Sequence, residues 1–344
     1  MGLLFAHTLI LLTGQPPLAS LMRARLLAFA LLCGISSETT AVISFPELAQ
    51  AVSDKDTVIS VAAPYIRFTR QLDVRTTLTI ESAVEVATVL SGGNSTRLFF
   101  LHEHRKLWLR SLDLTHGNCT GAQLGSGGVI YVSPGAELVL NSVSVTASWA
   151  LRGGAIYAID ASVVANDCTL ESNFADVGGA LFADGCSVVE LMNCTMISNS
   201  GRYSGGVCGV RNCTVITATN CTMKSNSASA GGVFDARDSS IVTTTHCTMT
   251  ANSAAWGGTV CTWDDSTVLA ADCTMTANSA SRGGAVYTRD DSTILATDCT
   301  MTANFATGGG AVSAFDASTI LGSFREARPN FRKHHMFFFA IFLK

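Results

Sequence analysis

The chain has 344 residues and a net charge of −4 at neutral pH, with only 14% of residues charged. No basic tract occurs before the last residues, so the sequence offers no electrostatic footprint for nucleic acid. A hydrophobic share of 48% and 30 glycines suit many short strands and tight turns rather than long helices.

The first segment has the form of a secretory signal. Met22-Arg23-Ala24-Arg25 supplies a basic start, residues 26–33 an apolar stretch, and small polar residues follow to Ala41. Residues 1–41 are therefore expected to act as a targeting segment, with Met22 as an alternative start. No uninterrupted apolar run reaches the roughly 18–20 residues that span a bilayer, so no transmembrane span is expected in the mature chain.

Residues 42–106 read as an N-terminal cap and irregular first coils. Ser44-Phe45-Pro46-Glu47 has the spacing of a capping box, with proline in the first turn. Phe45, Leu48, Ala51 and Val52 then share one helical face, as a short helix closing the open end of a stack would require. Residues 57–61, 78–80, 86–90 and 98–101 read as strands.

Residues 107–322 form a regular array. Cys168, Cys194, Cys221, Cys247, Cys273 and Cys299 are separated by 26, 27, 26, 26 and 26 residues, and each is followed by a glycine pair. A fixed period of that size implies a solenoid with one coil per repeat. Counting back by two from Cys273 puts Val268 and Ala270 on the inner face, and counting forward adds Met275. The phase continues upstream with Leu138, Leu140, Val143 and Val145, so the position asks for a buried apolar group rather than thiol chemistry. Disulfide pairing along this column is permitted by coil spacing but disfavoured by parallel Cβ vectors. Another strand is expected after each glycine pair, as in Gly283-Gly284-Ala285-Val286-Tyr287, with an insertion at residues 118–124.

Two polar columns complete the coil. Asn173, Asn199, Asn226, Asn252, Asn278 and Asn304 recur in register, as residues that tolerate the left-handed conformation and bond their neighbours above and below. Asp160, Asp238, Asp264, Asp290 and Asp316, joined by Asp265 and Asp291, lie in the turn after the glycine strand. A solvated turn explains them. The alternative is a weak Ca²⁺ site on Asp238, Asp264, Asp265, Asp290, Asp291 and Asp316, since hard cations take several carboxylate oxygens. No other cofactor is expected. Residues 323–344 share nothing with the repeats and read as a capping piece or a misread end of the gene.

Gly153-Gly154-Ala155-Ile156, and the matching runs at Gly178, Gly283 and Gly309, resemble the GGA[ILV] motif of the chlamydial polymorphic membrane protein repeat. The paired FxxN motif departs, because Met196, Met223, Met249, Met275 and Met301, or Leu170, stand in place of Phe. The stretch from Phe45 onward also resembles the start of pectin-lyase-like proteins. The resemblance covers about residues 105–322. It implies an all-β, single-stranded right-handed parallel β-helix of about 26 residues per coil with a short N-terminal capping helix. It also implies an extracellular, often adhesive passenger with a C-terminal membrane barrel; such a barrel is not expected in this chain, and neither is outer-membrane anchoring through one.

Three functions fit such an architecture. The first is a non-catalytic, secreted or cell-surface repeat protein that binds a polysaccharide or a cell-surface or matrix glycan. Arg152, Arg202, Arg237 and Arg282 beside the glycine turns could meet anionic sugars, and Asn94, Asn118, Asn193, Asn212 and Asn220 open glycosylation sequons. The second is a polysaccharide lyase, hydrolase or epimerase. Its tandem carboxylates, Asp264-Asp265 and Asp290-Asp291, recur every coil as a structural ladder does, while His102, His104, His116 and His246 are scattered. The third is an ice-binding face built from Thr248, Thr250, Thr274, Thr276, Thr300 and Thr302.

Overall fold

The computed structural model describes residues 39–55, 57–84, 86–119, 125–308, 310–324, 331–333 and 339–343. It is an all-β parallel solenoid of roughly 26 residues per turn, with one short helix near the N-terminus. The targeting segment read over residues 1–41 lies outside the described residues except at its end.

One coil shows how the sequence makes the turn. Its strands are Thr267–Ala271, Thr274–Thr276, Ser279–Arg282 and Val286–Thr288. Between them the chain bends at left-handed residues: Asp272 (φ 51°), Ala277 (φ 55°) and Gly283 (φ 63°), with Asp290 (φ 55°) and Asp291 (φ 56°) closing the coil. Each strand pairs in parallel with its equivalents in neighbouring coils, giving four ladders along the solenoid, numbered here in chain order. The inner column is as the alternation requires: Val268, Ala270, Cys273 and Met275 are 1–4% exposed.

The sequence pattern did not reveal the third strand of each coil. Ser279–Arg282 and Ser227–Ala230 are built mostly of small residues with no apolar alternation. The backbone pairs them because the coils on either side already hold the chain in register.

The asparagines correct a second expectation. The left-handed residue at their corner is the one before each of them: Ser172, Ser198, Ser225, Ala251, Ala277 and Ala303. Asn226 itself is buried, and it bonds in both directions along the stack. Its Oδ1 accepts from the Asn199 N–H at 2.9 Å, and its Nδ2 donates to the Met196 carbonyl at 2.9 Å and to Asn252 Oδ1 at 3.1 Å. The side chain thus satisfies backbone groups that a sharp bend would otherwise leave buried and unpaired.

The helix, α1 (Phe45–Ser53), is capped by Ser44, whose hydroxyl accepts from the Glu47 N–H at 3.5 Å. Glu47 reaches back one residue further than a standard box and accepts from the Ile43 N–H at 2.9 Å. Phe45 packs on Phe68, and Phe68 on Phe99, with ring centroids 5.0 and 5.5 Å apart. This seals the end of the core.

Both ends of the ladder run past the sequence boundaries. Thr39–Val42 pairs with Val58–Val61, so a strand crosses the division between residues 41 and 42. Phe331–Lys333 and Phe339–Leu343 pair in parallel with the last coils, although the side-chain repeat has ended. Backbone hydrogen bonds need no side-chain period. Among the described residues no helix is long and apolar enough to cross a membrane.

Candidate ligand-binding face

The fourth ladder carries the residues that break the repeat. Its outward column runs Asp73, Phe100, Tyr131, Tyr157, Phe182, Gly209, Asp235, Cys261, Tyr287 and Ser313, one residue per coil. Alternation sends these side chains away from the core, because Phe99 and Leu101 on either side of Phe100 are inside. Phe100 and Tyr131 stack with centroids 4.8 Å apart and planes 3° apart. Tyr157 and Phe182 continue the stack at 5.1 and 5.7 Å.

Arginines roof this column. Arg97 lies 5.7 Å from the Phe100 centroid and 5.3 Å from that of Tyr131. Arg211 covers Phe182, Arg237 and Arg289 cover Trp263, and Arg282 covers Phe315. The Arg97 guanidinium is buried and also donates to the carbonyls of Gly127 (2.9 Å) and Ser126 (2.5 Å). Burial lowers its pKa, and the neighbouring Cys119 and Tyr131 act in the opposite direction. Phe100 and Tyr131 remain half-buried, whereas Tyr157 and Phe182 are covered.

At the head of the column is a cavity of about 730 Å³ between α1 and the first coils. Lys55, Arg70, Arg75 and Arg105 line it, against the single carboxylate of Asp73. Asp73 lies 3.8 Å from Arg75 and 4.0 Å from His102, and accepts from Gln71 at 2.9 Å. Lys55, Arg70 and Arg105 have no ion pair or side-chain hydrogen bond among the described residues. The buried Thr76 hydroxyl in the cavity wall is also unpartnered. Burial, then Arg75, push the His102 pKa down. Sequence reading missed this site. Its cations come from a helix end and separate turns, with no common spacing and no local tract.

Further along, Asp235 is 1% exposed and fully engaged. Its carboxylate accepts from the Ser204 hydroxyl, from Arg237 Nε at 2.9 Å and from Trp263 Nε1 at 3.1 Å. Burial pushes its pKa up, against the opposing pull of Arg237. Around it Trp256, Trp263, Tyr287 and Phe315 form a chain of ring contacts at 5.4–6.2 Å. A carboxylate occupied by three donors acts as a strut between the third and fourth ladders.

The residues singled out from sequence sit elsewhere. Asp238, Asp264, Asp265, Asp290, Asp291 and Asp316 occupy the corner after the fourth strand, with φ between 46° and 58°. Their common role there is conformational, since aspartate tolerates the left-handed region. Arg289 Nε lies 3.3 Å from Asp290 Oδ1 and 2.7 Å from Asp316 Oδ2, placing a cation between two of them. Among the described residues no three His, Cys, Asp or Glu side chains converge to hold a metal ion. His104, His116 and His246 fill left-handed corners too (φ 56°, 53° and 53°). Of the named arginines, Arg237 and Arg282 join the aromatic column, and Arg202 pairs with Asp176 at 3.9 Å. Arg152 is exposed on the third ladder. Asn94, Asn193, Asn212 and Asn220 are exposed at left-handed corners. Thr248, Thr274 and Thr300 align, as do Thr250, Thr276 and Thr302, on the outer face of the second ladder.

A family comparison points to the same architecture over part of the chain. Residues 179–323 match the family described as the right handed beta helix region. No curated protein matches the chain. Among solved structures, tailspike protein 3 of bacteriophage CBA120 is 11% identical over 87% of this chain, with a TM-score of 0.37. The chain spans 56% of that tailspike's length. PfbA, a surface adhesin of Streptococcus pneumoniae, is 9% identical over 80% of this chain and 84% of its own, with a TM-score of 0.29. The matched family segment lies within the regular coils, and the structure carries the same parallel β-helix beyond it towards the N-terminus.

Proposed function

We propose that this chain is a non-catalytic, extracellular or cell-surface β-helix that binds an acidic polysaccharide through the N-terminal cavity and the adjoining aromatic column. The observation that carries the reading is the convergence of Lys55, Arg70, Arg75 and Arg105 on one cavity in a chain of net charge −4. Among the described residues three of these cations have no counter-ion, so a carboxylated or sulfated sugar would supply one. Half-buried Phe100 and Tyr131 lie next along the column, where their stacked rings leave apolar edges for an extended chain to pack against. The resemblance to the chlamydial polymorphic membrane protein repeat supports a surface role.

The test compares polygalacturonate and chondroitin sulfate with neutral dextran in a surface-binding assay across salt concentrations. Acidic chains should bind, and binding should weaken with salt. Arg70→Ala with Arg105→Ala should reduce affinity about tenfold or more and flatten the salt dependence. Equal binding of dextran, or binding indifferent to the double substitution, overturns the reading. New reducing ends or unsaturated products would establish the enzyme reading instead.

A further inference from the structure

The aspartate corner holds a pair of cysteines that the inner column does not explain. Cys186 and Cys213 are exposed, whereas the inner-column cysteines are buried. The two occupy the same place in successive coils. Ala183 pairs with Val210 before them and Val188 with Val215 after them, which puts Cys186 directly beside Cys213. Side-chain bonds lock this register on both flanks. Asn212 Nδ2 donates to Asp184 Oδ1 at 2.6 Å, and Thr214 Oγ1 to the Gly185 carbonyl at 2.6 Å. Neighbouring coils lie about 4.8 Å apart. That falls inside the span of roughly 4.4–6.8 Å between Cα atoms that a disulfide bridges.

The inner column cannot close in the same way. Its thiols are buried, and they donate to carbonyls, as Cys194 does to Met192 (3.2 Å) and Ala165 (3.3 Å). Its residues also repeat one backbone conformation, so their Cβ vectors run parallel. At the corner, Cys213 is left-handed (φ 60°) and Cys186 is not, so the parallel arrangement is broken. In the following coils Ser239, Asp265 and Asp291 take the equivalent corner position.

We propose that Cys186 and Cys213 form a redox-responsive clasp, closing into a disulfide that staples two successive coils at an exposed corner. The oxidant is a low-molecular-weight disulfide such as glutathione disulfide. One cysteine thiolate attacks it, forms a mixed disulfide and releases one glutathione. The second thiolate attacks the protein sulfur of that bond and releases the other. Two electrons pass from the cysteines to glutathione disulfide, and the two thiol protons end on the two glutathiones.

The experiment equilibrates the reduced, folded chain with glutathione disulfide, blocks remaining thiols with iodoacetamide and maps tryptic peptides. Trypsin cuts at Arg202 and Arg211, so the two cysteines fall on different peptides. The expected result is an intramolecular link between Cys186 and Cys213, with the inner-column cysteines alkylated only after unfolding. The oxidised chain should melt about 5 °C above the reduced one. Cys186→Ser should abolish both effects and leave Cys213 singly reactive, with no change in the reduced chain's melting. Independent glutathionylation of both cysteines without a link, or a link found only between molecules, overturns the proposal.

Discussion

Asn226→Ala tests what holds the corner between the second and third ladders. Truncation removes the acceptor of the Asn199 N–H and the donor to the Met196 carbonyl, both at 2.9 Å. It also removes the contacts with the side chains of Asn199 (3.2 Å) and Asn252 (3.1 Å). Asn226 is 0% exposed, so water cannot replace these bonds without opening the coil. Each stranded backbone group costs about 1–3 kcal/mol, which puts the loss near 4 kcal/mol. Whole-chain denaturation averages over coils, because stacked repeats need not unfold as one unit. Native-state hydrogen exchange reads the corner directly, and protection of the Asn199 amide should fall about 1,000-fold. Lys224→Ala, at an exposed position of the preceding strand, should stay within about 0.5 kcal/mol. If Asn226→Ala costs no more than Lys224→Ala, the buried amide ladder is not what supports the bend.

Two further substitutions probe other terms. A Cβ at Gly232 would lie 2.1 Å from the Gly258 carbonyl and 3.0 Å from the Ser253 backbone. Gly232→Ala should therefore force adjacent coils apart, cost more than about 3 kcal/mol and admit protease near residues 231–258; an unchanged cleavage pattern would contradict the close approach. Asp235→Asn addresses pH. Burial raises the folded pKa of Asp235 above its ordinary 3.8, so the folded chain keeps a proton that the unfolded chain has released. The contribution is complete below the unfolded value and is lost as pH rises through the folded one. Wild-type stability relative to Asp235→Asn should accordingly decline across the window above pH 3.8 in urea titrations, and a flat difference would refute the sign.

The inner column was legible because a strand alternates strictly. Once Cys273 was placed inside, Val268, Ala270 and Met275 followed. The N-terminal cap was legible for a similar reason, since Ser44, Pro46 and Glu47 act on their own turn. The third strand was not legible: Ser279–Arg282 has no apolar period, and its pairing comes from coils already held at one spacing. The left-handed role also moved from the asparagines to their predecessors, a shift that depends on where the corner lies relative to the core.

The candidate site belongs entirely to the second group. Lys55, Arg70, Arg75 and Arg105 are ordinary scattered cations until the helix and first coils fold around one cavity. Asp235 looks like one more aspartate near a recurring turn, and only its outward place on the fourth ladder brings it to Ser204 and Trp263. Cys186 and Cys213 differ from the inner cysteines by position on the coil, not by residue type. The chain by itself determined its winding, because local alternation and a fixed period act between near neighbours. Tertiary structure decided which side chains meet on the outside. Those meetings depend on small differences in corner length and backbone conformation that stacking carries from coil to coil.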